Sequence, residues 1–496
     1  MNRSRLQKAG ILALCLGFSM TGFFGCSSRK ATSDEIKVRH KDIDETETST
    51  PVSYAVEPDP TEPEPTDTPI PTETETVPTE VDNSKVISVF CYSSEIIEMC
   101  DLYQSMHPEC EYEFVYTQIS TTDGAYQKAL EASVRADDNH SPDIFVADQD
   151  FADKYVNGEL SEYVAGYDEL GIDIDVEVKD AGIAQYVVDQ GTRESDGKIV
   201  GLAFQSFAGV MIYRTDIAEE VFGTSDPDKI SDICGGNSGS LTKLLAAGDK
   251  LVENGYALTS GLNDMWFIYD AQDPSSWYKN GDVYISDEHE SFFDFADTLY
   301  ANNYTNKNAY WTQDWFDDMD GAGDRDAFAY FVPDWLIEYS MMYMAPGTTG
   351  LWNITDSPVN FTYGNLMILP TEQAAGADDE KKAVIADFLT WALLDTTTDG
   401  WQYQFATGAM DGVCLPCTSS VVMEQVTLYS DYVGGQDMAP IFLRANENTK
   451  AGVLSGSNLT IAASFVGYVK DYADGTLTKS KAEDKFLDSI SDYISN

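Results

Sequence analysis

Pro333-Asp334-Trp335, inside the run YFVPDWLIEYSMM (330–342), sets an indole on what reads as the first turn of a helix. Proline is preset for that turn and a short acid can accept from its free amides, so Asp334 is expected as the N-cap. A ring at such a place either fills a core or forms a flat platform for a ligand. Helical spacing puts Ile337, Met341 and Met344 on one apolar stripe, with Trp335, Glu338, Tyr339 and Met342 off it. The pattern leans toward a presented ring.

Other constellations offer less. Cys414-Leu-Pro-Cys417 has CxxC spacing, but no second CxxC completes a zinc site, so a loop bridge or free thiols are expected. Asp318, Asp320, Asp324 and Asp326 in DDMDGAGDRD invite a calcium reading. An EF-hand counted from Asp318 needs Glu at its twelfth position, where Ala329 stands, and its fifth position is Ala322. An acidic surface loop is the better account, and neither metal nor cofactor is expected. G-x-S-x-G, H-E-x-x-H and the P-loop are all missing, and His40, His107, His140 and His289 are scattered. An enzyme is therefore not expected, although a carboxylate pair at glycosidase spacing remains open. Trp266, Trp277, Trp391 and Trp401 read as structural.

The elements that must position these residues begin at Lys85. VISVFCY is a β-rich run, and SEIIEMCDLYQSMHP spaces Ile96, Ile97, Cys100, Tyr103 and Met106 as a helix that stops at Pro108. A strand (EYEFVYTQI), a helix (AYQKALEASVRA) and a third strand (PDIFVAD) follow. That alternation predicts a parallel sheet covered on both faces. Asp196-Gly197 fits a hairpin turn, SLTKLLAAGDKLVENG and DEKKAVIADFLTWALLD fit helices, and NFTYGNLMILP fits a strand. No internal repeat is visible, and about 410 residues exceed one core, so two α/β lobes are expected.

What precedes Lys85 is of another kind. Arg3, Arg5 and Lys8 followed by the uncharged run Ala9–Gly25 make a secretory signal over 1–25. It ends FFGC, which resembles a bacterial lipobox with Cys26 as the acylated residue; the two phenylalanines depart from the usual pattern. Acyl chains would anchor the chain without a transmembrane helix. Residues 26–84 carry eight prolines between Pro51 and Pro78 among Thr and Glu. This reads as a disordered, extended acidic tether, about 40 Å long at least by coil scaling. Without the three signal cations, 27 Lys and Arg face 84 Asp and Glu, a charge of −57. Such a surface repels nucleic acid, and its spread along the chain points first to solubility.

From end to end the order of segments resembles an extracellular solute-binding lipoprotein of an ABC transporter, in the carbohydrate-binding group related to maltose-binding protein. The carriers are the lipobox and tether, VISVFCYSSE, SPDIFVADQDFADKYVNGELSEYV, VGLAFQSFAGVMIYRTDI and GYALTSGLNDMW with WYKNGDVYISDE. FAYFVPDWLIEYSM, YGNLMILP and KAVIADFLTWALL…GWQYQFATG complete them. The resemblance implies an α/β, two-lobe periplasmic-binding-protein-like fold with a ligand cleft and three hinge crossings. It places lobe one at 85–205 and 366–412, and lobe two at 206–365 and 413–496.

Open α/β sheets bind ligands beyond the carboxyl ends of their strands, which selects particular loops. A sugar needs short acids and amides for its hydroxyls and rings for its C–H face. The candidates are Tyr92 and Ser94 after the first strand, Asp148 and Asp150 after the third, and Gln205 at the first crossing. Trp311 and Trp335 are the ring candidates. Tyr363 and Asn365 stand where relatives often carry Trp-Gly-Gly, a departure that bears on which sugar is taken. The implied function is a membrane-anchored extracellular receptor that captures a carbohydrate, an oligosaccharide by preference, for an ABC permease and its ATPase. A monomer is expected, held to the membrane by its lipid, with no nucleic-acid partner. The competing readings are an extracellular glycoside-acting enzyme and a receptor for a peptide or a cationic metabolite.

Overall fold

The computed structural model describes residues 85–494, except 122–123, 137–140, 149, 280–281, 411 and 451–457. The signal, Cys26 and the tether lie outside the described residues.

Two sheets organise the chain. The first has the order β2-β1-β3-β9. Strands β1 (Val86–Cys91), β2 (Glu113–Gln118) and β3 (Ile144–Asp148) run parallel, with Val86 opposite Glu113 and Val89 opposite Ile144. The predicted helices α1 (Ser94–Met106) and α2 (Ala125–Val134) make the crossovers. Strand β9 (Leu366–Pro370) joins β3 antiparallel, because the chain re-enters this sheet from the second one rather than through another βα crossover. Ile87, Val89 and Cys91 are buried, and the outer rows are closed by rings: Tyr103 of α1 meets Phe114, Phe388 and Trp391.

The second sheet, β7-β4-β8, is antiparallel throughout. Val210 of β4 (Val210–Arg214) faces Val332 of β7 (Ala329–Val332), and Met211 faces Thr355 of β8 (Trp352–Thr355). Every residue of β4 is buried, as a central strand requires. A two-stranded ribbon pairs β5 (Tyr278–Lys279) with β6 (Asp282–Val283). The helices used below are α3 (Gln185–Gln190), α4 (Thr242–Glu253), α5 (Leu262–Asp270), α6 (Asp287–Ala301), α7 (Gln313–Asp320), α8 (Asp379–Leu393), α9 (Ala439–Asn448), α10 (Asn458–Ala473) and α11 (Lys479–Ile494). Phe465 of α10 is the hub of their packing, touching Trp266, Trp277, Phe293 and Phe486. Trp266 and Trp277 are thus core residues.

Three stretches join the sheets side by side. The first, through Phe204–Gly209, lies between the other two. Gln205 bridges Cys417 on one flank and Ala208 bridges Thr362 on the other. The amides of Ser206 and Thr418 are bonded to Pro416 O and Phe204 O, and those of Gly209 and Tyr363 to Phe361 O and Phe207 O. Gly209 has no room for a side chain, since a Cβ would run into the Phe361 ring. Gly364 has φ +112°, which restricts that position of Tyr363-Gly364-Asn365 to glycine.

Two expectations are corrected. The helix at Trp335 is not amphipathic: α-helical Asp334–Leu336 passes into a π turn, Ile337–Met341, and both faces are buried. Pro333 is its N-cap, and the Asp334 side chain caps nothing. The acidic run 317–326 is a surface loop only in its second part, 321–326, where Gly321, Ala322 and Asp324 are exposed. Asp318 and Asp320 lie in α7, with Asp318 buried, because Ser260, Asn306 and Asn308 supply donors that only the tertiary fold assembles.

Candidate functional site

An aromatic wall forms where the Trp335 helix meets the second crossing. The rings of Trp335 and Tyr363 are edge to face at 5.6 Å, and Phe267 of α5 lies 4.1 Å from Tyr363. The Tyr310 and Tyr363 hydroxyls share a hydrogen bond. Tyr310 touches Trp315 at 4.7 Å, and Trp311 lies 5.7 Å from Trp315. Trp335 and Tyr363 are 7% and 5% exposed, so the presented ring foreseen at Trp335 is largely covered by its neighbours. Trp311 is half-buried.

Buried acids hold the loop that carries Tyr310 and Trp311. Asp264 accepts from Thr259 Oγ1 (3.0 Å), the Gly261 amide (2.8 Å) and Trp315 Nε1 (2.9 Å). Burial pushes its carboxyl up to about 6 despite those donors. Asp318 accepts from Ser260 Oγ (2.6 Å) and from Asn306 and Asn308 Nδ2 (both 2.8 Å), and burial raises it too. Arg325 donates to Asn306 Oδ1 (2.7 Å) and to the Thr305 carbonyl (2.7 Å). The loop needs this support because Asn303, Lys307 and Trp311 all hold positive φ, near 60°.

The polar candidates gather at the ends of β1 and β3. Tyr92, half-buried, packs edge-on against Tyr126 and Phe151 and interacts with Asp148. Asp148 Oδ1 accepts from the Asp150 amide at 2.9 Å. Burial raises both carboxyls, and repulsion from Asp150 raises Asp148 further. Asp150 Oδ1 accepts the Leu459 amide at 3.0 Å, and Oδ2 the Thr460 hydroxyl at 3.5 Å. It therefore caps α10 from the loop after β3. Ser94 opens α1 and is half-buried.

The structure thus brings Trp335 and Tyr363 together, with Trp311 joined to them through Tyr310, and it brings Tyr92, Asp148 and Asp150 together. The sets are linked by α5 and α10, which meet at Trp266 and Phe465. Gln205 is buried in the first crossing. Asn365 is buried as well, its amide bonded to Gln190 of α3. Sequence reasoning missed Phe267, Tyr310, Asp264 and Gln190. Only Tyr310 carried a signal, as the neighbour of Trp311. All six described cysteines are free thiols, with Cys417 buried and Cys414 half-buried. Two open cavities, about 510 and 250 Å³, lie elsewhere: beside Trp391, Asp387 and Asp395, and beside Trp266, Asp270 and Glu288. Among the described residues, no helix is long and apolar enough to cross a membrane.

Rings flanked by carboxylates and amides suit a polyhydroxylated ligand, which offers C–H faces and hydroxyl donors. No family model and no curated protein matches the chain. Solved structures do. An extracellular solute-binding protein of family 1 aligns at 17% identity over 81% of this chain and 98% of its own, with a TM-score of 0.65. Another from Alicyclobacillus acidocaldarius aligns at 12% identity over 83% and 98%, with a TM-score of 0.59. The galacto-N-biose/lacto-N-biose I-binding protein of an ABC transporter from Bifidobacterium longum aligns at 14% over 83% and 97%, with a TM-score of 0.56. The fold of the described chain is that of the two-lobe extracellular solute-binding proteins.

Proposed function

We propose that the protein is a non-enzymatic extracellular receptor that captures a carbohydrate, an oligosaccharide by preference, and passes it to an ABC permease with its ATPase. The observation that carries the reading is the wall of Trp335, Tyr363 and Trp311 set against the crossings between two sheets. It is supported by fold neighbours such as the Bifidobacterium longum protein, which was solved with lacto-N-biose. In this reading 85–205 with 366–412 form one lobe, and 206–365 with 413–496 the other; the contacts of α10 with α5 and α6 support grouping the C-terminal helices with the second sheet. The ligand lies on Trp335, Trp311 and Tyr363, while Tyr92, Ser94, Asp148, Asp150, Gln205 and Asn365 provide polar contacts. Cys26 carries the lipid that anchors the tethered, monomeric domain.

A thermal-shift screen of mono- and oligosaccharides tests this directly. A true ligand raises the melting temperature, perturbs tryptophan fluorescence and is recovered intact. Shorter sugars accumulating over hours would turn the reading to the hydrolase.

A further inference from the structure

Asp334 and Glu338 stand one helical turn apart on the helix that carries Trp335. Asp334 is fully buried, and neither of its carboxylate oxygens has a hydrogen-bond partner among the described residues. Glu338 is 5% exposed; Oε1 also has no partner there, while the Ser430 hydroxyl serves the carboxylate. The charges that act on the pair are themselves acidic, Glu338 on Asp334 and Asp431 on Glu338. Cys414, on the approach to the third crossing, is within electrostatic range of both. Trp335, between them in sequence, packs on Tyr363 of the second crossing. The pair therefore lies on the helix that supplies Trp335 to the aromatic wall.

Buried polar groups in native proteins nearly always find partners, so three unpartnered acceptor oxygens call for a donor from outside the described residues. A proton is the simplest answer, and burial raises both carboxyls. It supplies one donor per carboxyl and leaves the other lone pairs unserved. An ammonium brings three donors and a compensating charge in one group. With 84 acids against 30 bases, the field of the chain also favours a cation from solution.

We propose that the ligand bears a primary ammonium group that docks between Asp334 and Glu338 while its ring lies on Trp335. The ligand class is then an amino sugar, or an oligosaccharide that contains one. This rests on the carbohydrate reading above and narrows it.

Calorimetric titration of the full chain near neutral pH with a panel of mono-, di- and trisaccharides of glucosamine, N-acetylglucosamine and glucose is the test. The free amines should bind about tenfold tighter than their acetylated or neutral counterparts, the scale of a charge-assisted hydrogen bond. Asp334→Asn and Glu338→Gln, each with a native circular-dichroism spectrum, should erase that preference while keeping the weaker neutral binding. Equal affinity across the panel, preference for neutral sugars, or a preference that survives both substitutions overturns the ammonium assignment and leaves a sugar receptor standing. Failure of every panel sugar to bind also overturns the amino-sugar assignment, and the wider saccharide screen above then decides the receptor reading. The wild-type comparison decides even if a variant does not fold.

Discussion

Trp335 has two duties that separate under substitution. With only 7% of its surface exposed, it packs Tyr363 as well as offering a face to a ligand. Trp335→Ala should therefore cost about 3–5 kcal/mol in urea denaturation, the range for a large buried ring, and should also abolish sugar binding. Trp335→Phe keeps a ring and most of the packing; it should stay near wild-type stability while affinity falls. A phenylalanine variant with undiminished affinity would show that the indole does not touch the ligand. Asp264 is the residue to change for the wall as a whole. Removing its carboxylate in Asp264→Ala leaves Trp315 Nε1, Thr259 Oγ1 and the Gly261 amide without their acceptor. About 3 kcal/mol of destabilisation and a red-shifted tryptophan emission are expected, and a silent substitution would mean that water replaces the acid. The start of the Trp335 helix is legible in the sequence because proline acts locally, although the acid after it is not the cap. The duty of Asp334 is not, since its burial beside Glu338 comes from the packed molecule.

Elements are legible wherever periodicity is strong and local. α1, α4 and α8 follow their apolar spacing, and β1, β2 and β3 their β-branched and aromatic runs. The stretch from Asn303 to Trp311 is not legible, because its positive-φ turns are held by side chains distant in sequence, Asp264 and Asp318. The link from the loop after β3 to α10 is of the same kind, spanning 309 residues by a single carboxylate. Asp150→Ala should raise the hydrogen-exchange rate of the Leu459 amide roughly fivefold, the worth of one helix cap, while amides in β1 and β3 stay protected. Unchanged exchange at Leu459 would mean that α10 does not depend on this cap. Between the crossings, Gly209→Ala drives a methyl group into the Phe361 ring. The first two crossings must then part, at about 1–3 kcal/mol, with lower sugar affinity if their close approach sets the lobe geometry. Loss of stability with intact affinity would confine the glycine to packing.

At the scale of the whole molecule the governing quantity is charge, and its sign can be worked through. Asp148, Asp150, Asp264, Asp318, Asp334 and Glu338 are all raised in the fold, by burial first. In the unfolded chain such carboxyls titrate near 4. Between that value and the folded one, which is about 6 for Asp264, the native state holds more protons than the unfolded state. Stability therefore falls as pH rises through that window. The lowered acids work the other way. Asp196 beside Arg193, Glu131 beside Lys154 and Glu169 beside Lys198 contribute stability above about pH 4 and lose it below. A net charge of −54 adds self-repulsion that grows as the remaining carboxyls ionise. The three effects place maximal stability at about pH 5, below the usual neutral optimum. Melting curves at low salt should fall steadily from about pH 5 to pH 8, and added sodium chloride should recover most at the alkaline end, where exposed charges are most numerous. If the melting temperature instead rises across that range, the raised carboxyls are ionised and compensated in the native state, and ions or partners must be sought around Asp334 and Asp148.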